Sequence, residues 1–340
     1  RLRPNAVSVA QKIRRDFFVC SNPGLNEYYK TPRPGFEPGS KPFSVMFVAD
    51  TWSPDHNGVA PMDSRIVDGL REQGHDVHVV RPRQGQDTVL HTDPRETLVP
   101  GVPMPFYRDL RMGWPAYGPL SRLMLRLHPD VVHVASEGPL GWTAVSAARD
   151  AGIPVSTAFH TDLHRHSRHS VMGMLAPMVL AYRRTFHNRG DSTTVSTKKL
   201  ARELLTQGVD HVFVIEHGVD ATFFSPARRS IALRREWHAF GNALVVLYVG
   251  DLASAKEVDL VFRAFAAIRT RIADARLVMV GDGPLRATIQ QSEPDTVVLG
   301  SRHGQALADC YAAGDLLLDT SLAETFGNVT LEAAASGLTM

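Results

Sequence analysis

Beyond residue 42 the chain alternates between two apolar patterns. Short runs rich in Val and Phe, such as FSVMFVAD at 43–50, have the length and continuity of buried strands. Longer stretches space their apolar residues three and four apart, as in APMDSRIVDGLREQGH at 60–75, and predict a helix that stops at Gly74. DVHVVRP predicts the next strand, PDVVHVAS at 129–136 a third, GWTAVSAARDAG a helix ending at Gly152, and IPVSTAFH a fourth strand. Strands alternating with helices predict a parallel, doubly wound sheet.

The pattern pauses at VFVIEHGVDATFFSP, 212–226, and then restarts. ALVVLYVGD at 243–251, ARLVMVGDG, TVVLGS and DLLLDTS read as strands. EVDLVFRAFAAIRTRI at 257–272, ALADCYAAG and the closing stretch 326–336 read as helices. The expected organisation is an extension over 1–41, mobile at least in part, then one α/β domain over 42–217 and a second over 218–340. The extension ends in KTPRPGFEPGSKP, whose prolines and glycines block regular structure. About four strands in the second domain suggest that it is cut short.

Composition narrows the class without naming it. Of 340 residues, 44% are hydrophobic and 21% charged, as in soluble globular proteins. A net charge of +2 gives no reason to expect nucleic acid as a partner. Cys20 and Cys310 form no metal or redox spacing and suit a reducing compartment, so a cytoplasmic location is expected. No apolar run reaches the roughly 18 residues of a membrane span. The N-terminal stretch is basic but lacks the apolar core of a signal peptide.

The chemistry concentrates in LAETFGNVTLEAAASG, residues 322–337. Thr325 can cap a helix that Gly337 ends. The N–H groups of Phe326, Gly327 and Asn328 then stand at the positive end of the helix dipole, a place suited to phosphate. Glu324 lies just outside that end and Glu332 about two turns in, each able to accept hydrogen bonds from hydroxyls. A capped helix with one loop acid and one solvated acid explains the same spacing. NGV at 57–59 puts Gly58 after the first strand, where a ligand or a plain turn would use it. Lys256 precedes a predicted helix in the second domain, placed to neutralise phosphate or simply to be solvated. VGDGP at 280–284 lacks the third glycine of a dinucleotide fingerprint. FHTDLHRHSRH holds His160, His164, His166 and His169, but no supporting ligand motif, so no metal site is assigned. His160 differs from the others because it closes a strand.

These motifs together resemble the family 4 glycosyltransferases. ETFGNVTLEAAASG looks like that family's Glu-x7-Glu motif, DTWSPDHNGVA its first glycine-rich loop, FHTD its active-site histidine segment and HGVDATFFSP its interdomain linker. GLREQGHDVHVV and PDVVHVAS follow in the family's order. The resemblance implies a GT-B fold, two Rossmann-like doubly wound domains facing a cleft. It implies a retaining hexosyltransferase, of mannose or glucose type, needing no metal or other cofactor. The donor would be GDP-mannose or a UDP-sugar, and the acceptor a lipid or glycan. Glu324 would hold the transferred sugar, Glu332 the ribose and Lys256 the diphosphate; Gly58 would face the phosphates and His160 the reacting sugar. One departure stands out. GDL at 250–252 puts Asp251 where the family usually has an arginine, which keeps open a non-catalytic relative that binds a nucleotide sugar or a partner. A sugar-nucleotide epimerase of the same fold fits the motif set less well. Residues 107–129 and 168–189 mix arginine with Leu, Met and Trp, as in segments that lie on the inner face of a membrane and equally in core helices with a basic edge.

Overall fold

The computed structural model describes residues 42–50, 60–84, 93–104, 107–159, 176–216, 218–252, 255–320 and 327–340. They form two compact units that part after Glu216. The proposed extension over 1–41 lies outside the described residues.

The first unit holds strands β1 (Ser44–Val48), β2 (Asp76–Pro82), β3 (Glu96–Val99), β4 (Gly101–Met104), β5 (Tyr107–Gly113), β6 (Val131–Val134), β7 (Val155–Phe159), β8 (Ser192–Val195) and β9 (Val212–Val214). Its helices are α1 (Ala60–Glu72), α2 (Tyr117–Leu127), α3 (Pro139–Asp150), α4 (Ala176–Asn188) and α5 (Lys198–Thr206). Seven strands form one parallel sheet in the order β3-β2-β1-β6-β7-β8-β9, while β4 and β5 make a separate antiparallel ribbon. Helices cover both faces, which is why the central β1 is apolar at every position from Val45 to Val48, while β6 and β7 add buried His133, Ser156 and Thr157. Val45 and Phe47 pack with Val67 and Leu70 of α1. Met46 and Val48 pack on the opposite face with Leu120 and Met124 of α2 and with Leu140 and Ala144 of α3. Each fully buried side chain of this size contributes roughly 1.5–3 kcal/mol. Helix α1 stops where Gly74 takes φ +86° and the His75 N–H turns back to the Leu70 carbonyl, 3.0 Å away.

Five of these strands were not expected from the pattern. β3 reads ETLV and β8 STTV, too polar to stand out as apolar runs. Yet Ser192 and Thr193 are buried, their strand closed by neighbours on both sides. β9 lies inside the stretch read as a pause. Residues 107–129 are a strand followed by a helix, not a single amphipathic segment.

The second unit holds β10 (Val245–Val249), β11 (Arg276–Val280), β12 (Val297–Gly300) and β13 (Leu316–Leu317), with α6 (Ile231–Glu236), α7 (Ala255–Arg269), α8 (Arg286–Ser292), α9 (Gly304–Ala313) and α10 (Asn328–Ala335). The sheet is parallel throughout, in the order β12-β11-β10-β13. Alternate residues of β10 again serve two cores: Val245 and Leu247 with Trp237 and Tyr311, Val246 and Tyr248 with Val261 and Phe265. Arg234, almost wholly buried, donates to the carbonyls of Ala313 (2.7 Å) and Ala243 (2.6 Å) and to Asp315 Oδ2 (2.9 Å). Asp315 in turn accepts from the Val245 N–H, so one ion pair fixes the starts of β10 and β13. Despite the cost of burial, these donors hold its carboxyl below the usual range.

Candidate functional site

In doubly wound sheets a ligand crevice opens where neighbouring strands send their connections to opposite sides. In the second unit that point lies between β10 and β13. Gly250 and Asp251 follow β10, and Leu318 and Asp319 follow β13. The turn after β10 is locked to the turn after β11. Gly250 N–H donates to the Val280 carbonyl at 3.0 Å, and Leu252 N–H to that of Asp282 at 2.9 Å. A Cβ on Gly281 would lie 1.9 Å from the Gly250 oxygen, and one on Gly283 2.6 Å from the Leu252 carbonyl. The glycines of VGDGP are therefore there to let two backbones touch, which accounts for the incomplete nucleotide fingerprint. Asp251 sits between the two anchored residues, exposed, its carbonyl accepting the Tyr248 hydroxyl at 3.2 Å. Desolvation by the surrounding turn raises its carboxyl above the ordinary value. Its side chain has no ion pair among the described residues.

Helix α10 begins two residues later than the sequence suggests. Its N-cap is Gly327, left-handed at φ +79°, not Thr325, and a glycine has no side chain of its own with which to cap it. The first intrahelical bond runs from Leu331 N–H to the Gly327 carbonyl at 3.1 Å. The N–H groups at the positive end are thus those of Asn328, Val329 and Thr330; Asn328 is retained from the expected set, while Gly327 becomes the cap. Thr330 Oγ1 donates to Asp319 Oδ2 at 3.1 Å and ties this helix end to β13. Glu332, half-buried, lies four residues into the helix, about one turn rather than two. Lys256 is inside the first turn of α7, not ahead of it. Asp319 and Thr330 are the members that sequence reading missed. The side chain of Lys256, and Glu324 and Phe326, lie outside the described residues, as do Gly58 and His160 of the first unit.

The equivalent point in the first unit, between β1 and β6, is built differently. Asp50 follows β1 and is 2% exposed. Its carboxylate accepts from the N–H groups of Gly138 (3.1 Å), Leu140 (2.9 Å) and Gly141 (3.0 Å) and from the Ser136 hydroxyl (3.0 Å). The positive end of α3 is therefore filled by the chain's own anion. A Cβ on Gly138 would come within 2.5 Å of that carboxylate, so the close approach needs glycine. Burial pushes the Asp50 carboxyl up to about 6, against the pull of its four donors. A phosphate has no place at this helix end.

One family model, Glycosyltransferase Family 4, matches residues 57–223, and another, Glycosyl transferases group 1, matches residues 243–340. A GDP-mannose-dependent alpha-mannosyltransferase of Corynebacterium glutamicum is 34% identical over 301 residues, covering 88% of this chain and 71% of the relative. This chain belongs to the family 4 glycosyltransferases. A second GDP-mannose-dependent alpha-mannosyltransferase, from Mycobacterium tuberculosis, is 35% identical over 86% of this chain and 77% of its own. An alpha-monoglucosyldiacylglycerol synthase of Streptococcus pneumoniae is 27% identical over 86% of this chain and 69% of its own. Among solved structures, sucrose-phosphate synthase from Thermosynechococcus elongatus superposes with a TM-score of 0.65 at 15% identity, over 87% of this chain and 80% of that one. Anabaena HepE in complex with UDP gives 0.65 at 20% identity, over 87% and 79%. The family 4 member described here is a hexosyltransferase with the GT-B fold.

Proposed function

We propose that the chain moves a hexose, of mannose or glucose type, from a nucleoside-diphosphate sugar to a lipid or glycan acceptor, with retention at the anomeric carbon and no metal requirement. The observation that carries the donor assignment is the contrast between two helix ends. In the first unit the N-terminus of α3 is filled by Asp50, whereas in the second unit α10 starts from Gly327, which has no side chain of its own to cap it, at the switch point of its sheet. The diphosphate belongs at α10, where backbone donors meet developing negative charge as it leaves. Lys256 adds a cation, Glu324 holds the transferred sugar and Glu332 the ribose. His160 stands by the reacting sugar. The names of the relatives favour GDP-mannose as donor and a glycerolipid as acceptor.

No helix among the described residues is long and apolar enough to cross a membrane. A lipid acceptor then calls for peripheral contact, on the cytoplasmic side in this reading. Trp114, Tyr117 and Leu125 are exposed on and beside α2, which also carries Arg122 and Arg126, a combination suited to an anionic surface. The exposed charge of Asp251 favours a second reading, a relative that binds donor weakly without transfer.

Calorimetry with GDP-mannose, UDP-glucose and UDP-N-acetylglucosamine identifies the donor. Transfer of radiolabelled sugar to phosphatidylinositol and to diacylglycerol vesicles then separates the two readings. Glu324→Ala is expected to abolish transfer with the fold intact, and His160→Ala to lower turnover more than donor affinity. Near-normal turnover in purified Glu324→Ala overturns the donor assignment.

A further inference from the structure

A charged cluster is buried in the first unit, at the carboxyl end of β7. Arg183, on α4, has a side chain only 3% exposed. Its guanidinium lies 4.5 Å over the ring of Phe159, the last residue of β7. Its Nε is 3.4 Å from Glu137 Oε1, on the loop that follows β6. The same carboxylate oxygen meets Nε2 of His187 at 2.9 Å, one helical turn further along α4. Nδ1 of His187 reaches Thr157 Oγ1 at 2.8 Å, within β7, and that hydroxyl lies 3.1 Å from Thr193 Oγ1 of β8. Tyr182 completes the arrangement by donating to the Glu137 carbonyl at 2.5 Å. Burial, then the charges of Glu137 and Asp50, push its hydroxyl up to about 12, so it stays a donor throughout the neutral range.

Stability alone does not explain this arrangement. Replacing a buried ion pair by apolar side chains of similar volume is often neutral or stabilising. Apolar side chains make up most of the packing on both faces of this sheet, and a leucine or methionine could have filled the space over Phe159. What an apolar residue cannot do is fix direction. The cluster ties α4 to the β6 loop and to Thr157 of β7 through the hydrogen bonds of His187, and the Arg183 guanidinium adds an ion pair with Glu137 and a stacking contact on Phe159.

We propose that Glu137, Arg183 and His187 are positioning residues for sugar transfer. They hold the end of β7 in one orientation, and His160 is the next residue in the chain. This rests on the transferase reading given above. A misplacement of about 1 Å at a reacting group costs up to a hundredfold in rate, which sets the scale of the effect.

The test is steady-state kinetics of the full chain with GDP-mannose and vesicles containing phosphatidylinositol or diacylglycerol, for wild type, Arg183→Met, Arg183→Lys and Glu137→Gln. Circular dichroism and thermal unfolding check the fold. Arg183→Met is expected to lower kcat tenfold or more with the KM for GDP-mannose unchanged within twofold. Arg183→Lys, which keeps the charge opposite Glu137, is expected to recover part of the loss. Glu137→Gln keeps the shape and removes the charge, and should show the same split even if Arg183→Met fails to fold. A kcat within twofold of wild type in folded Arg183→Met overturns the inference. So does a parallel fall in total activity and folded fraction across all the variants, which would mark a purely structural role. In either case an active wild type leaves the transferase reading standing. A wild type that transfers from no donor overturns that reading and this inference with it.

Discussion

Asp50→Asn separates the two forces acting on the buried carboxylate. The wild-type group is desolvated, and its four donors only partly offset that cost. A carboxyl raised from 3.8 to about 6 costs about 3 kcal/mol when ionised at pH 7, relative to the unfolded chain. The sign follows from the raised value. The stability linked to Asp50 is complete below pH 3.8 and is lost as pH rises through 6. Asparagine does not titrate. With its Oδ1 facing Ser136, Gly138 and Gly141, its amide nitrogen faces the Leu140 N–H and leaves that donor unpaired. One orphaned buried donor costs about 1–3 kcal/mol, which roughly cancels the relief from removing the charge at pH 7. Near pH 7 the two proteins should therefore match. Between pH 7 and pH 5 the wild type should gain about 1.3 kcal/mol on the variant, as Asp50 takes up its proton. Native-state hydrogen exchange on peptides from β1 and β6 reads the first unit by itself. His133 titrates in the same window with the opposite sign, but it is present in both proteins and drops out of the difference. A gap that stays constant from pH 7 to pH 5 would refute the reasoning, because it would mean that the donors keep Asp50 ionised throughout.

His133 is buried between Phe47 and Ser156, and burial lowers its ring to about 4, so the stability it carries is present above pH 6.5 and lost as pH falls toward 4. His133→Leu should remove about 2 kcal/mol of the destabilisation between pH 7 and pH 5, read by the same exchange experiment. Gly281→Ala drives a methyl group into the Gly250 carbonyl, so the second unit should lose about 1–3 kcal/mol or more in thermal unfolding, with GDP binding weakened in parallel. Wild-type stability in that variant would mean that the two turns are not in contact. Asp251→Arg should tighten GDP binding about fivefold at low salt, a gain of about 1 kcal/mol for a contact open to solvent, and added salt should erode it. Equal affinities at low salt would show that this position does not face the diphosphate.

The sequence by itself determined most of the frame. Runs such as VMFV of β1 and VVLYV of β10 have no charged position to mask them, and β2, β6, β7 and β11 to β13 keep enough Val, Leu or Phe between their polar residues to be legible as strands. So were α1, α3, α7 and α9, and the order of motifs that marks the family. Strands held by hydroxyl pairs were not legible. STTV of β8 looks like a loop until Thr157 and Thr193 are brought together across the sheet. The cap of α10 was misplaced for a related reason: Thr325 has the chemistry of an N-cap, but Gly327 takes a left-handed conformation that spacing does not reveal. The largest gap was the polar interior of the first unit. Asp50 lies 88 to 91 residues from the backbone donors it satisfies, and Glu137 50 residues from His187. Each of these residues reads locally as an ordinary polar side chain beside a strand or on a helix. Only the parallel sheet, which brings the carboxyl ends of β1, β6 and β7 side by side, turns them into a filled anion site and a buried ion cluster. Periodicity records which face of an element is buried, whereas the partner of a buried charge is chosen by the way distant elements pack.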